Sequence, residues 1–297
     1  MALLNPPGKL PTAMWAVARL VADGRPMSIE QAEALLSPAP LRGREVRTPF
    51  DLAVESLREL DLLHAGGDGV LQLHRPLAPA AADDFAAFGA ELRAAALAPD
   101  LNTGIGDSEE QKGPRDLTRA LVWLLSLDPL GEPLALHDME RRQQGGLPEE
   151  VGLPFRNDTR WYSFTYWGPA LGLVSLPLLA TSGSRRMVPD PTSAVRQIVL
   201  SSWRVGERPR VRSFIERLLG ELPVLPGGAY ARALGITHDP DRLDPATSFA
   251  LLCGDHHGWI RLERAADAAD SLLVVDPDAP GRTRVVTDIT ILGVADV

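Results

Sequence analysis

The chain has 297 residues, 45% of them hydrophobic and 23% charged, with a formal net charge of −9. That length and composition suit two or three small globular domains with real cores. The acidic total excludes a protein that coats DNA over its whole surface through counterion release, so any nucleic-acid contact has to come from a local basic patch, and the balance leans towards protein partners.

The first segment, about 12–75, opens with Met14, Val17, Ala18 and Val21 at the spacing of one helix face. Gly24 ends that helix. Ser28 followed by Gln31 is a capping-box start for a second helix over 29–36. Thr48-Pro49 reads as N-cap and first-turn proline of a third, which carries Phe50, Ala53, Val54 and Leu57 on one face. Glycines 66, 67 and 69 then separate two short apolar runs, a hairpin signal. Residues 80–98 are expected to form a further helix around Phe85, Phe88 and Leu92, and 99–114 an exposed linker.

The second segment, about 115–188, repeats the order. Leu117, Ala120, Leu121 and Leu124 share a face, and a short helix near 134–142 follows. Asn157 or Asp158 caps a helix with Trp161, Phe164 and Trp167 that Pro169 is expected to end. Apolar runs at 174–179 and 187–188 flank a turn at 181–184, and a connecting helix over about 191–202 leads on. The third segment, about 209–290, opens with Val211, Phe214, Ile215, Leu218 and Leu222. A short helix near 227–235 and a helix started by Asp244-Pro245 come next, then a larger wing of about three strands at 259–262, 271–275 and 285–289.

Helix, helix, helix, hairpin is the outline of a winged helix-turn-helix. The expected fold is therefore mainly α with small β-wings, an α+β class of tandem winged-helix domains. The predicted division is 1–76, 77–114 as helix and linker, 115–203 and 204–297.

In a DNA-bound winged helix the third helix enters the major groove and the wing lies on the backbone. The first segment exposes Asp51, Glu55, Arg58, Glu59 and Asp61 there, so it is read as protein-docking, with Arg42, Arg44 and Arg47 as secondary candidates for DNA backbone contact. The second is the predicted DNA-binding segment. It has Arg156, Asn157 and Arg160 at the start of its third helix, Arg185 and Arg186 at the wing tip, and Arg141 and Arg142 at the end of the preceding helix. Tyr162 and Tyr166 are placed to donate to phosphate. The third segment carries Arg204, Arg208, Arg210 and Arg212 ahead of an almost uncharged third helix, which points to protein packing.

Chemical motifs are scarce. Asp255-His256-His257 after the single cysteine, Cys253, lacks a second Cys/His cluster, and adjacent histidines rarely point the same way, so no metal is expected. Gly104-Ile105-Gly106-Asp107 lacks the third glycine of a nucleotide fingerprint. Asp239, Asp241 and Asp244 lack the glycine and terminal glutamate of a calcium loop. No cofactor and no catalytic residue are assigned. One cysteine forms no internal disulfide, and neither a leader peptide nor a long apolar run is found, so a cytoplasmic protein without membrane association is expected.

The start Met-Ala-Leu-Leu-Asn, the early helix and the Trp161-x-x-Phe164-x-x-Trp167-x-x-x-Leu171-Gly172-Leu173 segment resemble the DpdG proteins. These accompany bacterial gene clusters that place 7-deazaguanine derivatives in DNA and restrict unmodified DNA. The resemblance implies a non-catalytic component of a restriction or anti-phage assembly with helicase and nuclease partners, and carries over no catalytic residue. The resulting expectation is a tandem winged-helix adaptor that touches DNA, as a duplex, through its middle segment and is open to homo-oligomer formation. The alternative is a dimeric, operator-specific transcription regulator.

Overall fold

Helix α1 (Pro11–Ala22) buries Met14, Val17 and Ala18, and the chain leaves it through Gly24 at φ 77°. Helix α2 (Ile29–Leu36) starts on the capping box formed by Ser28 and Gln31. Helix α3 (Pro49–Glu59) starts on a second box, in which Thr48 accepts from the Asp51 N–H and the Asp51 carboxylate accepts from the Thr48 N–H at 2.8 Å. Its apolar side, Phe50, Ala53, Val54 and Leu57, is buried. Strands β1 (Leu63–Ala65) and β2 (Leu71–Leu73) form an antiparallel hairpin with Leu63 opposite Leu73. The segment between α1 and α2 joins this hairpin: Ser28 bridges Val70, and the Leu71 N–H donates to the Met27 carbonyl at 2.9 Å.

The helix expected over 80–98 is two, α4 (Pro79–Asp83) and α5 (Phe85–Ala96). Asp84 breaks the run because it takes an extended conformation and caps α5, accepting from the Ala86 N–H at 2.9 Å. The stretch expected as an exposed linker is partly built in. Asn102 and Ile105 are buried, and the Asn102 amide donates to the Ala96 and Ala98 carbonyls at 2.8 and 2.9 Å, closing the end of α5.

Helix α6 (Arg115–Leu125) buries the expected Leu117, Ala120, Leu121 and Leu124, but also Val122, Trp123 and Leu125, so it is enclosed on all sides. Helix α7 (Leu136–Arg142) follows. Helix α8 (Asp158–Ala170) is capped by Asn157, whose side chain accepts from the Arg160 N–H at 3.0 Å. Pro169 does not end it: the helix runs one residue further and leaves through Gly172 at φ 70°. Bridges pair Leu134 with Met187 and Ser175 with Val188.

Helices α9 (Thr192–Ser202), α10 (Val211–Glu221), α11 (Ala229–Ala233) and α12 (Pro245–His256) precede four strands, β3 (Ile260–Glu263), β4 (Leu272–Val275), β5 (Thr283–Val286) and β6 (Asp288–Ile291). The run expected as one strand over 285–289 is two, divided at Thr287. The β5 strand pairs antiparallel with β4, and β6 with β3. Thr287 is held at the division, its N–H donating to the Glu263 carbonyl at 2.8 Å and its hydroxyl to the Asp288 carboxylate at 2.7 Å. The architecture is α+β, helices with small antiparallel pairings.

The computed structural model describes residues 2–5, 7–41, 47–67, 69–107, 112–177, 186–265 and 270–293. The turn expected at 181–184 lies outside them. The chain divides into two compact units. Unit 1 comprises residues 1–103, 110–118 and 154–171; unit 2 comprises 104–109, 119–153 and 172–297. Residues 115–203, expected as one domain, therefore contribute to both: α8 belongs to unit 1, and α7 and the bridged segments around 134, 175 and 187 belong to unit 2.

Candidate nucleic-acid interface

Helix α8 has a sharply divided surface. One side carries Trp161, Phe164 and Trp167, all essentially without solvent contact. Phe155 meets Trp161 and Phe164 edge-on, with ring centroids 5.2 and 5.1 Å apart, a preferred aromatic geometry. The Trp167 indole N–H donates to the Lys9 carbonyl at 2.8 Å. On α5, a Cβ at Gly89 would collide with the Ala170 carbonyl oxygen, so glycine is what lets α5 approach the end of α8. The Arg93 guanidinium, buried beside it, donates to the Leu171 carbonyl at 2.7 Å.

The opposite side of α8 is solvent-facing. Arg156, Asn157 and Asp158 are exposed at its start, and Tyr162 and Tyr166 are 51% and 41% exposed further along.

Arg160 belongs to the first side. It is only 7% exposed and donates to the Pro154 carbonyl at 3.4 Å. Burial pushes its pKa down, the Asp116 charge opposes that shift, and Arg156 adds to it. Asp116, with no solvent exposure, accepts from the backbone N–H groups of Leu3, Leu4 and Leu117 at 3.1, 2.8 and 2.8 Å. Burial raises the Asp116 pKa, against the pull of the Leu4 N–H, Arg160, and the Leu117 and Leu3 N–H groups. A buried carboxylate is tolerable only with such partners. This cluster was not legible beforehand: Asp116 stands next to the expected apolar face of a helix, where an acidic first-turn residue reads as ordinary dipole compensation. Lys9 was missed in the same way. It is fully buried, with its ammonium 2.7 Å from Glu59 and 3.8 Å from Glu55.

The remaining predicted residues do not gather on one unit. Arg47, in unit 1, is ion-paired with Glu55. Arg141 and Arg142, in unit 2, are exposed on the last turn of α7, with Arg141 3.6 Å from Asp138. Arg186 lies against Glu132 and the Pro133 carbonyl at 3.5 and 3.4 Å. Arg42, Arg44 and Arg185 lie outside the described residues. The arginines just ahead of α10 and in its first turn face the sheet strands and loops of unit 2: Arg208 pairs with Glu263, Arg210 with Asp288, and Arg212 with Asp241 and Asp270. Asp255 is engaged by the Leu262 N–H at 2.9 Å and by Arg284 at 2.8 Å, which gives the Asp-His-His sequence a structural role. No helix among the described residues is long and apolar enough to cross a membrane.

Fold and site together define an α+β protein whose buried charges organise its helices and whose α8 presents a polar and aromatic outer side. The chain belongs to the DpdG-like family, whose model matches residues 1–268. No curated protein and no solved structure matches it. The match takes in the buried Leu3-Leu4 start and all of α8 and stops before β4. Family membership suggests a role in the Dpd 7-deazaguanine modification cluster.

Proposed function

We propose that this chain is a non-catalytic, tandem winged-helix adaptor of a bacterial DNA-processing or anti-phage restriction complex, working beside a helicase or nuclease subunit. Three helices followed by a hairpin, with the segment before the second helix bridged to the hairpin edge, support the winged-helix reading in the first segment. In the second segment the Leu134–Met187 bridge, just ahead of α7, supports it in the same way.

One observation carries the adaptor role. The arginines that would make an acidic protein bind DNA broadly are engaged within it: Arg160 is buried, and Arg47, Arg186, Arg208, Arg210 and Arg212 pair with carboxylates. Tight counterion-release binding needs many unpaired cations. What remains for nucleic acid is local, at the outer side of α8 and the end of α7. The chain then acts chiefly by holding protein partners near DNA.

Co-expression with the products of the adjacent genes, followed by size-exclusion chromatography at physiological salt, tests this. A stable complex with a helicase or nuclease subunit is expected. A chain that stays alone, or that binds one operator sequence tightly as a dimer, would overturn it.

A further inference from the structure

We propose that Tyr162 and Tyr166 form a stacking platform for two unpaired bases of a single-stranded nucleic acid, with Arg156 at its head for the backbone phosphate. The proposal rests on the nucleic-acid contact assigned above to α8 and specifies its form.

The two tyrosines are four residues apart on a helix, hence on one face and about 6 Å apart along the axis. That spacing exceeds the about 3.4 Å between bases of a duplex strand. It suits an extended single strand that lays one base on each ring. Both rings stay broadly exposed although the next positions, Trp161, Phe164 and Trp167, already supply the buried aromatic side of the helix. Base stacking on exposed aromatic side chains is the common device of single-strand binding and tolerates any sequence.

The surrounding charges agree. From Thr159 to Ala170 the helix itself has no acidic residue, and the carboxylate on the tyrosine strip is Asp158, one turn ahead of Tyr162. Asp158 sits at the helix start, where the dipole offsets its charge, and its carboxylate accepts from the Thr159 N–H at 2.8 Å.

Duplex reading by the same helix is poorly equipped. Arg160 is buried, and the Asn157 side-chain oxygen is engaged as the helix cap. Those two groups would otherwise reach base edges. A protein-docking face would set its tyrosines among apolar side chains. Among the described residues of unit 1, the exposed large apolar residues besides these tyrosines are Leu35 and Leu36, on α2, and Leu153 stands just before the unit's last segment.

Fluorescence anisotropy of the full chain with a labelled oligothymidylate, and with a duplex of equal length, decides the matter. The single strand should bind more tightly. Tyr162→Phe/Tyr166→Phe should bind within about threefold of the unsubstituted chain, because the rings remain. Tyr162→Ala/Tyr166→Ala should lose about tenfold or more for each base, with an unchanged thermal melt. The logarithm of affinity should fall with the logarithm of salt at a slope of about −0.7 per neutralised phosphate.

Duplex binding as tight as single-strand binding, or an alanine pair that binds normally, would overturn the platform and leave the adaptor standing. So would an alanine pair that loses a protein partner but not the oligonucleotide. An unsubstituted chain that binds neither nucleic acid would remove both the platform and the α8 contact. The co-expression experiment then judges the adaptor role separately.

Discussion

The indole N–H of Trp167 donates to the backbone carbonyl of Lys9 at 2.8 Å, joining positions 158 residues apart in the chain. Through this bond the end of α8 is fixed to the segment that leads into α1, inside unit 1. Trp167→Phe preserves most of the ring but leaves the buried carbonyl without its donor. Urea unfolding should show a loss of about 1–3 kcal/mol with an unchanged m-value. An unaltered midpoint would show that water replaces the indole.

Asp116 fastens the other end of that segment by accepting from Leu3 and Leu4. Asp116→Ala removes an acceptor from three buried N–H groups. It should cost about 3–5 kcal/mol. Hydrogen exchange at the Leu3 and Leu4 amides should accelerate more than exchange in α10 or α12, because the lost bonds are local to unit 1. Uniform acceleration would refute the anchoring role.

Arg156, just ahead of the α8 cap, and Arg160, in its first turn, should respond oppositely. Arg156→Ala, at an exposed position, should change stability by no more than about 0.5 kcal/mol and weaken oligonucleotide binding. Arg160→Ala removes a buried side chain and the positive charge that acts on Asp116, and should cost about 1–3 kcal/mol. Charge reversal at Arg160 would therefore report folding, not binding. Thermal melts of both variants beside their anisotropy curves separate the two effects.

Gly89 tests the approach of α5 to α8. Alanine normally favours a helix over glycine by about 1 kcal/mol. Here its methyl group would meet the Ala170 carbonyl. Gly89→Ala should therefore destabilise by about 1–3 kcal/mol, the usual cost of overpacking. Stabilisation in the same melt would mean that the two helices separate freely.

In unit 2, Asp244 caps α12 by accepting from the Thr247 N–H at 2.9 Å, and burial raises its pKa from 3.8 to about 6. A carboxyl whose pKa is higher in the folded state binds its proton more tightly there. Its contribution is fully present below the unfolded value of 3.8 and is lost as the pH rises through about 6. Asp116, raised in the same direction, adds to the trend. Asp244→Asn keeps a capping oxygen and removes the titration. Relative to that variant, the unsubstituted chain should lose about 1–3 kcal/mol between about pH 4 and about pH 7. Parallel stability curves for the two proteins would contradict the raised pKa.

Local chemistry was legible where neighbouring residues settle it. The capping boxes at Ser28 and Thr48, the cap at Asp244 and the apolar faces of α1, α3 and α10 follow from interactions within one or two turns. The family resemblance was legible too, and the residues that carry it prove to be buried: Leu3, Leu4, Trp161, Phe164 and Trp167. Pattern alone misjudged single residues whose side chains act on the backbone, as at Asp84 and Thr287, where one expected element became two. Of the candidate interface, the sequence picked out the start of α8 and its tyrosines but not which arginine there meets solvent.

By itself, then, the sequence determined the order and faces of the helices, the acidic balance and the family. Each depends on composition or on residues close in the chain. Only the tertiary structure decided that α8 joins unit 1 and that Arg160 is buried. It also showed that the arginines around the start of α10 meet carboxylates many residues away. Burial and charge pairing are set by distant partners, and a charged residue at helical spacing reads the same whether its face meets water or a buried carboxylate.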